Sequence, residues 1–145
     1  MTTTDPLLDT HDLREAFRAV LDTEVPEFDA ITPPLPVKQA PPYQLVGLRE
    51  PHPDGPMMAG DQTLEAVLSV TTVGLSEEQT QRGAALARTV LVGRDGHGAF
   101  LVPVPVAERV VLRRECNYDG APDVVDGVQQ WTETYRILVG RAPSA

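Results

Sequence analysis

Apolar residues recur along this chain with two different periods, and the switches between them mark out its elements. Leu13, Phe17, Val20 and Leu21 fall at i, i+4, i+7 and i+8, one face of a helix running from about Thr10 to Thr23. Asp9 or Thr10 caps its start, Asp12 suits its first turn, and Pro26 ends it. Tyr43 to Leu48 reads as a strand, followed by loop chemistry from Arg49 to Gln62. From Thr63 to Val73 the period is two: Leu64, Ala66, Leu68 and Val70 point one way, and Glu65, Ser69 and Thr71 the other. These two strands predict a long hairpin with a projecting tip. A second helix is announced by Gly74, by Ser76 and Gln79 in capping-box spacing, and by Glu77 and Glu78 in the first turn. Its stripe of Gly83, Leu86, Ala87, Val90 and Leu91 is made largely of small residues that can lie close to a sheet, and Gly93 stops it.

The C-terminal third is less regular. Phe100, Val102, Val104 and Val106 alternate with Leu101, Pro103 and Pro105, and prolines at alternate positions forbid ladder bonds on one side. That stretch reads as an edge strand or an extended arm. Arg109 to Cys116 and Gln130 to Val139 read as strands, joined by turn chemistry from Gly120 to Gly127. Between the first helix and the first strand, Ile31 to Pro42 is proline-rich and predicts an extended crossing. The economical fold is a single α+β domain spanning 1–145. It has a mostly antiparallel sheet of about four strands, two helices on one face, and long proline-rich loops and an arm.

Composition narrows the class. At 145 residues with 41% hydrophobic residues the chain is long enough to bury a core. No apolar run of about twenty residues spans a membrane, and Met1 to Leu13 lacks the basic start and apolar core of a signal peptide, so assembly in the cytoplasm is expected. The net charge of -9 argues against binding nucleic acid through phosphates, while it suits a channel wall past which DNA slides. A single cysteine, Cys116, excludes an intrachain disulfide and a cysteine-built zinc site.

The chemistry-bearing residues read as structural. His11, His52 and His97 lie in a helix start, a proline-rich loop and a glycine-rich turn, without a second ligand at helical spacing. Asp54, Asp61, Asp119, Asp123 and Asp126 stand where turns favour Asx residues. Gly93 to Gly98 follows a helix instead of opening one and lacks the Lys-Ser/Thr ending, so it is a turn and not a phosphate loop. Cys116 reads as a small half-buried hydrophobe. No catalytic residue, cofactor or metal is expected. Two features point outward instead. Met57 and Met58 sit at the hairpin tip, either as an adaptable contact or folded back and buried. Trp131, Tyr135 and Ile137 fall on alternate positions of the last strand, as core or, for the aromatics, at a subunit seam.

The run Leu68-Ser69-Val70-Thr71-Thr72-Val73-Gly74, followed by Ser76, Gln79, Arg82 and a small-residue helix through Arg88, resembles the strand-turn-helix centre of siphophage tail terminator proteins, particularly those of actinobacterial hosts. Asp119-Gly120-Ala121-Pro122-Asp123, with Trp131, Thr134 and Tyr135-Arg136-Ile137, is similar to that family's acidic turn and aromatic closing strand. The likeness extends over roughly the whole chain. The Phe100 to Val106 run is more proline-interrupted, and the Arg49 to Gln62 loop richer in Pro and Met, than the family pattern. The resemblance implies a virion protein at the head-proximal end of the tail. It would be a homohexameric ring that caps the tail tube, stops its polymerisation and docks the head or neck. Its partners would be its own copies, the major tail tube protein and a head-completion protein, with DNA passing through the lumen. Interface candidates are Met57, Met58, Phe100, Val102, Val104, Val106 and Trp131. A head-completion or neck protein is the nearest alternative, and a small ligand-binding α+β domain the alternative from another class. The ligand-binding alternative would show as polar residues on the inner face of the strands.

Overall fold

The computed structural model describes residues 10–33, 39–53, 64–106, 109–118, 122–125 and 127–141. In chain order they form α1 (Thr10–Glu24), β1 (Asp29–Ile31), β2 (Tyr43–Pro53), β3 (Leu64–Gly74), α2 (Glu77–Val92), β4 (Arg109–Tyr118), β5 (Pro122–Val125) and β6 (Val128–Arg141). The six strands make one mixed sheet in the order β1-β2-β3-β6-β4, with β5 pairing β6. Only β1 and β2 run parallel; the other pairs are antiparallel.

The sheet therefore has six strands and not about four. Both additional strands escape a periodicity search because they are short. β1 has three residues and is held to α1 by side chains: Asp22 Oδ1 accepts the Ala30 N–H at 3.2 Å, and Arg18 Nη1 donates to the Ala30 carbonyl at 3.2 Å. β5 lies within what reads as a connection. It closes on β6 through Gly127, whose φ of +79° needs a residue without a side chain. β2 is also longer than Tyr43 to Leu48, continuing through Pro53 into the stretch that reads as loop. The pairing with β3 shifts register between Arg49 and His52, and Pro53 pairs at the strand's last position. Pro51 thus falls in an irregularity, where its missing N–H interrupts little. The tip of the β2–β3 hairpin, with Met57 and Met58, lies outside the described residues, as does 34–38 of the proline-rich crossing.

α2 forms where its caps predict. Ser76 Oγ accepts the Gln79 N–H at 3.1 Å, and Gln79 Oε1 accepts the Leu75 N–H at 2.7 Å. The helix stops at Gly93 in extended backbone (φ -64°, ψ 143°), with the Gly93 N–H on the Thr89 carbonyl at 2.9 Å. Its buried side is small, comprising Thr80, Gly83, Ala84, Ala87, Val90 and Leu91.

Both helices lie on one face of the sheet. Leu13, Phe17 and Leu21 of α1 share a core with Ala87, Val90 and Leu91 of α2, and with Val46, Ala66, Leu68, Val70, Tyr135, Ile137 and Val139 of the strands. Register explains the strand set: Val46 faces Val70, Leu68 faces Tyr135, and Ala66 faces Ile137. Positions of opposite parity form the other face. There Leu45, Val67 and Leu138 are half-buried among Ser69, Thr71, Thr132 and Thr134, and the Thr71 and Thr132 hydroxyls are 2.9 Å apart. No described helix is long and apolar enough to cross a membrane.

Candidate functional site

The inner face of the sheet is not purely apolar. Ala66, Leu68 and Val70 are buried as their alternation predicts, but the same face also buries Gln44, Thr72, Glu133 and Arg114. Parity requires it. Gln44 lies two residues before Val46, Thr72 two after Val70, and Glu133 between Trp131 and Tyr135 on the alternating stripe.

Glu133 is the best connected of these. Its carboxylate accepts the Tyr135 hydroxyl at 2.8 Å and the Trp131 indole N–H at 3.1 Å, and is ion-paired with Arg88 from α2. Three donors from two elements thus meet one carboxylate that is 1% exposed, which locks α2 against β6. Burial, and then the adjacent Glu133 charge, raise the Tyr135 pKa above its ordinary value of 10.0. Above about pH 10 the tyrosine of the unfolded chain loses its proton while folded Tyr135 keeps it, so stability falls as pH rises, by up to ~1.4 kcal/mol per pH unit from this group. Arg114 contributes with the opposite sign in that range, because its pKa is lower in the fold than in the unfolded chain. The difference between native protein and Tyr135→Phe isolates Tyr135. Urea midpoints at pH 9 and 11 should fall less for the variant; equal falls would show that Tyr135 ionises in place.

At the other end of the inner face, Arg114 of β4 is 2% exposed and carries no ion pair among the described residues. Its Nη2 donates to the Val102 carbonyl at 2.7 Å, while Nε and Nη1 have no hydrogen-bond partner among the described residues. The guanidinium lies 4.0 Å from the centre of the Phe100 ring, and that of Arg94 lies 4.2 Å from the same ring. Burial, and secondarily Arg94, push Arg114 down to about 10, so it is still charged at neutral pH.

Phe100, Val102, Val104 and Val106 belong to an extended arm that packs on the chain's own body. Val104 is buried in the core, Val102 and Val106 pack against it half-buried, and Leu101, Pro103 and Pro105 are exposed. The valine side of the alternation thus faces inward. Trp131 is half-buried and bonded to Glu133. Between the arm and α1 runs an apolar groove of about 360 Å³, lined by Ala16, Ala19, Val20, Thr23, Glu24, Val102, Pro103 and Pro105. On the opposite face, Arg136 bridges Glu65 and Glu115 beside Arg113 in a shallow depression.

Of the sequence's other titratable candidates, His97, Asp123 and Cys116 are the ones whose side chains are described. Gly93 to Gly98 is the turn its composition predicts: Asp95 Oδ1 accepts the N–H groups of His97 and Ala99, and Gly98 has a φ of +86°. Asp123 bonds the Val124 N–H locally, and Cys116 is half-buried against the core. Asp54, Asp61, Asp119 and Asp126 lie outside the described residues. Among the described residues no cluster of three or more His, Cys, Asp or Glu could hold a metal ion. No protein-family model matches the chain, and no curated protein matches it.

Proposed function

We propose that this chain is a structural ring subunit of the tail-terminator type, which caps a phage tail tube, stops its polymerisation and presents a docking face to the head or neck. It would act in the virion as a homohexamer, by binding and not by catalysis. The observation that supports the reading best is that the chain offers two unlike surfaces on opposite sides of one sheet. One is the apolar groove between α1 and the proline arm. The other is the open face, where Leu45, Val67, Ser69, Thr71, Thr132 and Thr134 lie beside the ion-paired cluster of Arg136, Glu65 and Glu115. Head-to-tail ring contacts need one patch that fits a different patch on the neighbour. The exposed Leu75 and Val124, beside paired segments at one end of the sheet, and Met57 and Met58 of the hairpin tip are further contact candidates.

The ligand-binding alternative calls for polar residues on the inner face, and these are present. Glu133, however, spends its carboxylate on three donors of this same chain, which is the behaviour of a fold-locking network. The test is electron microscopy of tails from a phage carrying a stop codon in this gene. Tails of abnormal, variable length without heads are expected. Tails of normal length that fail to join heads would move the protein to the neck as a head-completion component.

A further inference from the structure

We propose that copies of this chain join head to tail through oppositely charged edges of the sheet, the basic β4 edge of one copy meeting the acidic α1–β1 edge of the next. The inference rests on the ring reading for its partner, a second copy, and adds which surfaces meet and what holds them.

The strand order β1-β2-β3-β6-β4 puts β1 and β4 at opposite ends of the sheet, and charge divides along that path. α1, the turn after it and β1 hold Asp12, Glu15, Asp22, Glu24, Glu27 and Asp29 against Arg14 and Arg18. All of these acids except Glu15 are exposed, whereas both arginines are half-buried and Arg18 is taken by Glu15. β4 and the part of β6 paired with it hold Arg109, Arg113, Arg114, Arg136 and Arg141 against Glu115. Arg136 is engaged by Glu65 and Glu115, and Arg114 is buried. The positive excess therefore rests on exposed Arg113 and on Arg109 and Arg141, which the register sets opposite each other. Like charges on directly opposed residues are unfavourable within one chain, and an acidic neighbour relieves them.

The two edges also share a face. Asp29 pairs with Tyr43, which faces Val73, and Arg113 pairs with Leu138; all have the parity of the open side of the sheet. One copy thus presents an acid and an arginine at opposite borders of one face, the arrangement a head-to-tail contact needs. Four strand spacings of about 4.8 Å separate these borders by about 19 Å, well beyond the Debye length of about 8 Å at physiological ionic strength. A neighbour therefore feels the edge it meets and not the net charge of -9. Neither edge invites another strand. The Ala30 N–H and carbonyl of β1 are occupied by Asp22 and Arg18, and β4 shifts register twice along its length. The joint is made by side chains. A different acidic protein on β4 would leave the α1–β1 edge unmatched, whereas a second copy serves both.

The test is sedimentation of the full chain, native and charge-reversed. The native protein should self-associate, and Arg113→Glu or Asp29→Lys, each at an exposed position, should weaken association at least about tenfold. An equimolar mixture of the two variants should associate as the native protein does. The reversed edge of each then matches the reversed edge of the other, while their unaltered edges still match. Circular dichroism checks that both variants are folded. If Arg113→Glu is not, Arg113→Gln should weaken association severalfold, and native-like association of that variant would overturn the proposal. So would folded single variants that associate like the native protein, or a mixture no better than its components. Native protein that stays monomeric up to about millimolar concentration would also overturn it and leave the β4 arginines to a different acidic partner. If the complementing mixture forms open filaments and not closed rings, the edges meet as proposed and the ring reading fails.

Discussion

Glu133→Ala should lower the stability of this protein by about 3 kcal/mol, read from the urea midpoint with an unchanged slope. The carboxylate is buried, and its removal strands its donors unequally. The Tyr135 hydroxyl is fully buried, so losing its acceptor costs about 1–3 kcal/mol. Arg88 is 40% exposed and can turn toward water, which keeps the total below the ~5 kcal/mol seen when a fully buried pair is broken. Trp131 is half-buried and loses less. Glu133→Gln should not rescue the fold, although it restores the volume. Its amide NH₂ would face donors from Arg88, Trp131 and Tyr135, so one oxygen must serve a site where two served before. Adding Tyr135→Phe to Glu133→Ala should recover part of the loss, because the stranded hydroxyl disappears; a coupling of about 1 kcal/mol between the two is expected. A loss below about 1 kcal/mol for Glu133→Ala would show that the carboxylate does not join α2 to β6, and strict additivity of the pair that it does not hold the Tyr135 hydroxyl.

The stripe Trp131, Tyr135, Ile137 is legible by period, and the same period puts Glu133 among them. A carboxylate on a core stripe is passed over because an isolated charge is costly to bury. What makes it tolerable is Arg88, 45 residues away in sequence, which becomes a neighbour only when α2 folds onto the sheet. Gln44 is a parallel case: its Nε2 donates to Thr72 Oγ1 at 3.3 Å and to the Gly83 carbonyl at 3.0 Å. Local signals fared differently. The Ser76 cap, the small-residue face of α2, the β3 alternation and the Gly93–Gly98 turn need only neighbours in sequence, and each stands where its residues predict. The arm is intermediate. Its prolines leave an edge strand and an extended arm both open, and the choice of which side faces inward belongs to the core that receives Val104. Register and edge position also decided β1, β5 and the proline-bearing end of β2, none of which a period of two can show over a few residues.

Gly83→Ala in α2 should destabilise the protein by about 2 kcal/mol, against the local preference of the helix. In an exposed helix interior, alanine is better than glycine by about 1 kcal/mol. Ala85→Gly, at an exposed position two residues along the same helix, provides the control and should cost about that amount. At Gly83 the surroundings reverse the sign. An added Cβ would stand 2.5 Å from Phe28 Cζ and 2.6 Å from Thr72 Cγ2, well inside van der Waals contact. Phe28 is 1% exposed and Thr72 fully buried, so neither can swing away into solvent. The helix would have to rise from the sheet instead. That movement would also pull the Gly83 carbonyl from Gln44, whose side chain is buried and whose Oε1 is already without a partner. The loss should therefore exceed that of simple overpacking, and it should appear as faster amide exchange on the buried side of α2 around Gly83 and Ala84. Combining Gly83→Ala with Phe28→Leu, which removes the far end of the ring, should cost less than the two changes added together. A Gly83→Ala variant more stable than the native protein would mean that α2 does not approach β3 this closely. The small-residue face of the helix would then be a matter of propensity and not of packing.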